Sequence, residues 1–136
     1  MLIAVAGPYS AETQEQRQRN LNVLNEAAAA ILKLGHVPVV GVNAALPVVQ
    51  CLDADSDHYE AMMTISLALM VKCDAILIIG NSPGANRERD LIQSKGLPVY
   101  RDVNDIPRAS SNSAQVAEPT HPDVGNLSAD STARQS

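Results

Sequence analysis

Phenylalanine and tryptophan are missing from this 136-residue chain and tyrosine occurs three times, so a core has to be built from Ala, Val, Leu, Ile and Met. The same scarcity argues against binding by stacking exposed bases on protein aromatics. Cysteine is scarce as well. Cys51 and Cys73 stand 22 positions apart with no CxxC and no matching Cys/His set, which supports neither a zinc site nor a disulfide framework. Both are expected to be buried, reduced thiols. Positive charge is in deficit, with 10 Lys and Arg against 15 Asp and Glu and a formal net charge of -5. Neutralising a phosphate backbone needs a clustered excess of cations, so a nucleic-acid polymer is excluded as partner and a small molecule is expected. Long apolar runs are lacking too. Leu2 to Ala6 is far too short for a signal sequence or a membrane span, which leads us to expect a cytoplasmic protein with no membrane partner.

What is present alternates between strand and helix signals. Leu2-Ile3-Ala4-Val5-Ala6 is continuously apolar and stops at Gly7-Pro8, as a strand buried on both faces does. Thr13 and Gln16 have capping-box spacing, Leu21, Leu24, Ala28, Ile31 and Leu32 follow at helical intervals, and Gly35 supplies a stop, predicting a helix over 13–34. Val37 to Val42 reads as a second strand, with Pro38 tolerated near its beginning. Residues 43–57, with Pro47 and the acidic Asp53, Asp55 and Asp57, read as a long loop holding at most one helical turn. A helix over 58–72 follows, then the strongest strand signal, 75–79, a tight loop at 80–84, a helix over 85–95 closed by Gly96, and a short strand over 97–100. This order predicts an α/β fold with a doubly wound parallel sheet of four to five strands, in a flavodoxin- or Rossmann-like three-layer sandwich. The domain is expected over residues 1–107. From 108 to 136 the composition turns to Ser, Ala, Asn, Asp, Thr and Pro, a polar tail expected to stay disordered because it cannot bury enough apolar surface.

In an open parallel sheet, ligands bind beyond the carboxyl ends of the strands where strand order reverses. Two loops qualify, Gly7-Pro8-Tyr9-Ser10 and Gly80-Asn81-Ser82-Pro83-Gly84-Ala85, each turning a strand into a helix whose first N–H groups attract anions. Gly84 allows close backbone approach and Ser82 carries a hydroxyl, although Ser82 reads equally well as a helix cap. The loop is not of the Walker type, since the GKS/T ending is missing, and there is no GxGxxG. Glu88 falls one turn into the next helix, where a carboxylate can attack an anomeric carbon or activate water. Its other reading is an exposed helix residue between Arg87 and Arg89. His58 reads first as a surface or capping residue, His36 as structural, and His121 falls in the tail.

The succession Ala6-Gly7-Pro8-Tyr9-Ser10, Gly35-His36, Lys72-Cys73-Asp74-Ala75-Ile76, Ser82-x-Gly84-Ala85-x-x-Glu88 and Gly96-Leu97-Pro98-Val99-Tyr100 resembles the nucleoside 2-deoxyribosyltransferase superfamily over about residues 1 to 103. Within it the likeness extends to the 2'-deoxynucleoside 5'-phosphate N-hydrolase branch and its uncharacterised bacterial and phage relatives. The resemblance implies cleavage or exchange at the N-glycosidic bond of a nucleoside or nucleotide, a homodimer or higher homo-oligomer, and neither metal nor organic cofactor. Glu88 matches the nucleophile. Ser82 and Gly84, with Ala85 beside them, match the phosphate-holding element, while Gly7, Pro8, Tyr9 and Ser10 line the sugar or phosphate side. Two positions depart from the pattern. Ser66 stands where members that cleave the bond usually carry an Asp that helps protonate the base or position the nucleophile, and a serine cannot replace a carboxylic acid in proton transfer near neutral pH. Ala4 stands where a Tyr often orients the nucleophile. Tyr9 could reach the same space, and Asp55, Asp57 or His58 could supply the acid. The alternative to an enzyme is a catalytically silent nucleotide-binding or sensing module.

Overall fold

The computed structural model describes residues 1–110. Its elements run β1 (Leu2–Ala6), α1 (Gln14–Lys33), β2 (Val37–Val40), α2 (Gly41–Val49), α3 (His58–Met70), β3 (Ala75–Ile78), α4 (Pro83–Ser94), β4 (Val99–Tyr100) and a short 3-10 turn at Val103–Asp105. The expected disorder from 111 onward, and His121 with it, lies outside the described residues. Arg108 and Ala109 hydrogen-bond back to the carboxyl end of α1, at Lys33 O (3.3 Å) and Leu34 O (2.8 Å).

The four strands are all parallel, in the order β2-β1-β3-β4. Period-two alternation divides the central strands between two helical layers. Ile3, Val5, Ala75 and Leu77 pack with Leu24, Ala28 and Ile31 of α1. Ala4, Ala6, Ile76 and Ile78 face Met70 of α3 and Ala85 and Ile92 of α4. The expected doubly wound α/β sandwich is the observed one, with four strands. Pro38 sits in β2, an edge strand, where a missing N–H leaves no unfilled place in the ladder.

Local chemistry explains most element limits. Thr13 caps α1 by accepting from Gln16 N at 3.1 Å, but the Gln16 side chain turns to Asn20, so only half of the capping box forms. Gly35 and Gly96 adopt positive φ of 91° and 73° after α1 and α4, the conformation a helix stop of this type requires. His36 is structural as expected: it is buried, with Nε2 donating to Pro107 O at 2.6 Å and Nδ1 beside the Met1 amine at 2.9 Å.

Two expectations need correction. Residues 41–49 form a nine-residue helix, and β2 ends at Val40. Gly41, Ala45 and Val49 lie one turn apart and are buried, and α2 packs along α3. Pro47 lies near the end of α2, where its missing N–H costs a single backbone bond. That loss is outweighed by burial of the apolar face. Cys73 is buried but Cys51 is exposed, because the chain turns outward after α2. A thiol reagent is therefore expected to label Cys51 rapidly in the native protein and Cys73 only on unfolding, a difference read by peptide mass mapping. Burial first and the neighbouring Asp74 carboxylate second push the Cys73 thiol pKa up, which slows its reaction further.

Candidate active site

The strand order reverses between β1 and β3, and a cavity of about 350 Å³ opens beyond their carboxyl ends. That volume suits one small organic molecule, whose sites span roughly 300–1,000 Å³. The two loops that edge it are built against each other. Ile79 N donates to Ala6 O at 2.9 Å, and a Cβ placed on Gly80 would meet Pro8 Cδ at 2.9 Å. Gly7 has no room for a side chain either, with Ile79 Cγ1 2.6 Å from where its Cβ would be. The first loop is tied to α1 through Asn20 Nδ2, which donates to Tyr9 O at 2.9 Å, and Arg17 Nη1, which donates to Ala11 O at 2.7 Å.

From this first loop Gly7, Pro8, Tyr9 and Ser10 line the cavity. The β3–α4 segment contributes Ser82, Pro83, Gly84 and Ala85, and Glu88 one turn further on. Helix α3 contributes Ser66, and all nine residues proposed from the sequence thus surround one space. Asp55, Asp57 and His58 do not line it. Asp57 caps α3 by accepting from Glu60 N at 3.0 Å, and His58 Nε2 donates to Asp53 O at 2.9 Å.

Ser82 is the N-cap of α4 and accepts from Ala85 N at 3.1 Å. The hydroxyl proton remains to be donated, so capping and ligand contact are compatible. Gly84 also has a packing role. A Cβ there would come within 3.2 Å of Met63 Sδ and 3.8 Å of Tyr59 Cε1, so its absence lets α3 approach α4 across the cavity.

Glu88 is 8% exposed and shares the inward face of α4 with Ala85 and Ile92, which rules out the reading as a solvated surface residue. The flanking arginines point elsewhere. Arg87 pairs with Glu60 at 3.0 Å and lies over the Tyr59 ring, 5.7 Å from its centroid, while Arg89 pairs with Asp90 at 2.9 Å. The Glu88 carboxylate accepts a hydrogen bond from the Ser66 hydroxyl, itself 1% exposed. Burial raises the Glu88 pKa above the ordinary carboxyl value, and the Ser66 hydrogen bond offsets part of the rise.

Val42, Tyr59, Met62 and Met63 also line the cavity and were missed from the sequence. Val42 was hidden by its assignment to β2. Tyr59, Met62, Met63 and Ser66 stand at i, i+3, i+4 and i+7 of a helix that had been recognised, and that spacing was the available signal. Tyr9 and Tyr59, two of the three tyrosines, are among the lining residues. Among the described residues no group of three or more His, Cys, Asp or Glu could hold a metal ion, and no helix is long and apolar enough to cross a membrane.

Among solved structures the chain is similar to a 2-deoxyribosyltransferase from the psychrotolerant bacterium Bacillus psychrosaccharolyticus, at 19% identity and a TM-score of 0.57, over 83% of this chain and 95% of that one. At this identity the likeness is one of fold, and it agrees with the superfamily resemblance at that level. No curated protein matches the sequence. The family model described as a domain of unknown function, DUF4406, matches residues 1–101, which take in both loops, α3 and Glu88; the chain belongs to that family.

Proposed function

We propose that this chain acts on the N-glycosidic bond of a small nucleoside or nucleotide, with the Glu88 carboxylate as nucleophile. The observation that carries the reading is Glu88 itself, a carboxylate buried in the wall of the cavity at the strand-order reversal and paired with a hydroxyl rather than a cation. An Oε atom of Glu88 bonds to C1' of the sugar as the C1'–N bond breaks, and the electron pair of that bond leaves with the base. Water or a second base then displaces Glu88 from C1', giving hydrolysis or transfer. An anion at this place favours the positive charge that develops on the sugar. Ser82, Ser10 and the first N–H groups of α4 hold the sugar hydroxyls or a 5'-phosphate. We place the chain in the 5'-phosphate N-hydrolase branch of its superfamily, as a cytoplasmic homo-oligomer that needs no cofactor.

The test is incubation with a panel of deoxy- and ribonucleosides and their 5'-monophosphates, with free base followed by chromatography beside Glu88→Ala. Release from some of these compounds, lost in the mutant, is the expected result. The attack needs ionised Glu88, whose pKa is raised, so the rate is expected to climb with pH through a midpoint above the ordinary carboxyl value.

A second reading is a silent nucleotide-binding or sensing module. Ser66 favours it, because apart from Glu88 the cavity is lined by no carboxylic acid and no His among the described residues, leaving no side chain of that kind to protonate a departing base. Binding without turnover, undiminished in Glu88→Ala, would select this reading.

A further inference from the structure

Ser66 lies 22 positions from Glu88 in sequence, and only the packing of α3 on α4 brings them together. Its hydroxyl is the only side-chain hydrogen-bond partner that the Glu88 carboxylate has among the described residues. A second observation bears on the same hydroxyl. A Cβ built on Gly41, the first residue of α2, would overlap Ser66 Oγ and come within 2.8 Å of Ser66 Cβ and 3.2 Å of Met70 Cε. The backbone at the start of α2 therefore lies directly against Ser66. We propose that Ser66, confined by Gly41, is the positioning residue for Glu88: it holds one carboxylate oxygen in place and leaves the other for the ligand. Ser66 then replaces an acid with a donor, fixing the orientation of Glu88 while leaving proton supply to another source.

The physical advantage is one of geometry. A buried glutamate has three rotatable bonds, and a carboxylate held at one oxygen loses most of that freedom before a ligand arrives. A serine in an open pocket would be free to turn its hydroxyl to the i-4 carbonyl of its own helix. Here the start of α2 lies against its Oγ, and the hydroxyl donates to Glu88. The titratable groups that share the cavity with Glu88 are Tyr9 from the first loop and Tyr59 from α3. From its own helix, Arg87 and Arg89 are turned away and paired with Glu60 and Asp90.

This inference rests on the reading of Glu88 as the reacting group for its catalytic half, and its structural half can be measured without any substrate. Carboxyl carbon-13 NMR of the full chain follows the Glu88 titration in wild type, Ser66→Ala and Gly41→Ala, with thermal melts to confirm that each is folded. Both variants are expected to move the Glu88 midpoint to higher pH, since each weakens a hydrogen bond to the ionised form. In base release they are expected to lower kcat by about ten- to a hundredfold with little change in KM, and to move the acidic limb of the pH profile upward by the same amount as the NMR midpoint. A purely packing role would lower the melting temperature without moving either midpoint. An unmoved NMR midpoint in folded Ser66→Ala overturns the assignment. Movement in Ser66→Ala but not in Gly41→Ala overturns the part given to Gly41. If the wild type releases no base, the glycosidic reading fails, and the NMR midpoints still decide whether Ser66 and Gly41 hold Glu88.

Discussion

Glu88→Gln is expected to lose base release by roughly 10⁴-fold or more and, at neutral pH, to melt at a higher temperature than the wild-type protein. Both outcomes come from the same burial. The amide keeps the shape of the side chain and can still accept from the Ser66 hydroxyl, so the pocket wall is preserved while the nucleophilic oxygen is lost. The wild-type carboxyl has a folded-state pKa raised above its unfolded value, chiefly by desolvation. Below the unfolded pKa both states carry the proton and the group is neutral in stability. As pH rises from there to the raised folded value, the unfolded state ionises first, and the folded state loses stability over that window. Glu88→Gln removes that loss. The difference in melting temperature between mutant and wild type should therefore be near zero in acid, grow through the window and level off above it. Calorimetry at a series of pH values reads this directly. A mutant no more stable than wild type at any pH would show that the Glu88 carboxylate is not desolvated as the structure has it. Wild-type levels of base release in the mutant would remove Glu88 from the chemistry.

Ile76→Ala should cost about 3–4 kcal/mol, a large share of the roughly 5–15 kcal/mol typical of a domain of this size. Ile76 is fully buried at the middle of the sheet, between β1 and β4, where it pairs with Ala4 and Val99. Its companions on that face include Ala4, Ala6, Cys73 and Ala85, all small side chains that cannot lean in to fill a void. A chain without Phe or Trp fills this layer with thin aliphatic groups, and the long ones carry a correspondingly large part of the packing. Urea unfolding should show a lower midpoint with an unchanged slope. Leu32→Ala provides the contrast: Leu32 is 62% exposed on α1, and its truncation should change stability by less than about 0.5 kcal/mol. Equal losses at the two positions would contradict the division of the core described above.

The fold was largely legible before the structure because its signals are local. Buried parallel strands are short apolar runs, and Leu2–Ala6 and Ala75–Ile78 are such runs, each ended by a loop bearing a glycine. Helix ends announce themselves through caps and stops, as Thr13, Gly35 and Gly96 do. Where a local signal contradicted the tertiary outcome, the local one lost. Pro47 argued against a helix over 41–49, yet the apolar face of Gly41, Ala45 and Val49 finds burial against α3, and that contact decides the conformation. Cys51 followed the habit of its residue type on paper and an exposed turn in the fold.

For the site, the sequence by itself determined which loops face the reversal of strand order and that Glu88 lies one turn beyond the second of them, because strand-to-helix connections in a parallel sheet all leave from the same edge. It could not determine whether Glu88 points inward, as that depends on the rotation of α4 against the sheet. Nor could it show that Ser66, read as a missing acid, donates to Glu88, or that Gly41 clears the space for it. Those relations join residues on three different helices. No spacing within one helix encodes the distance to another, and only the packing of α2 and α4 on α3 brings these side chains together.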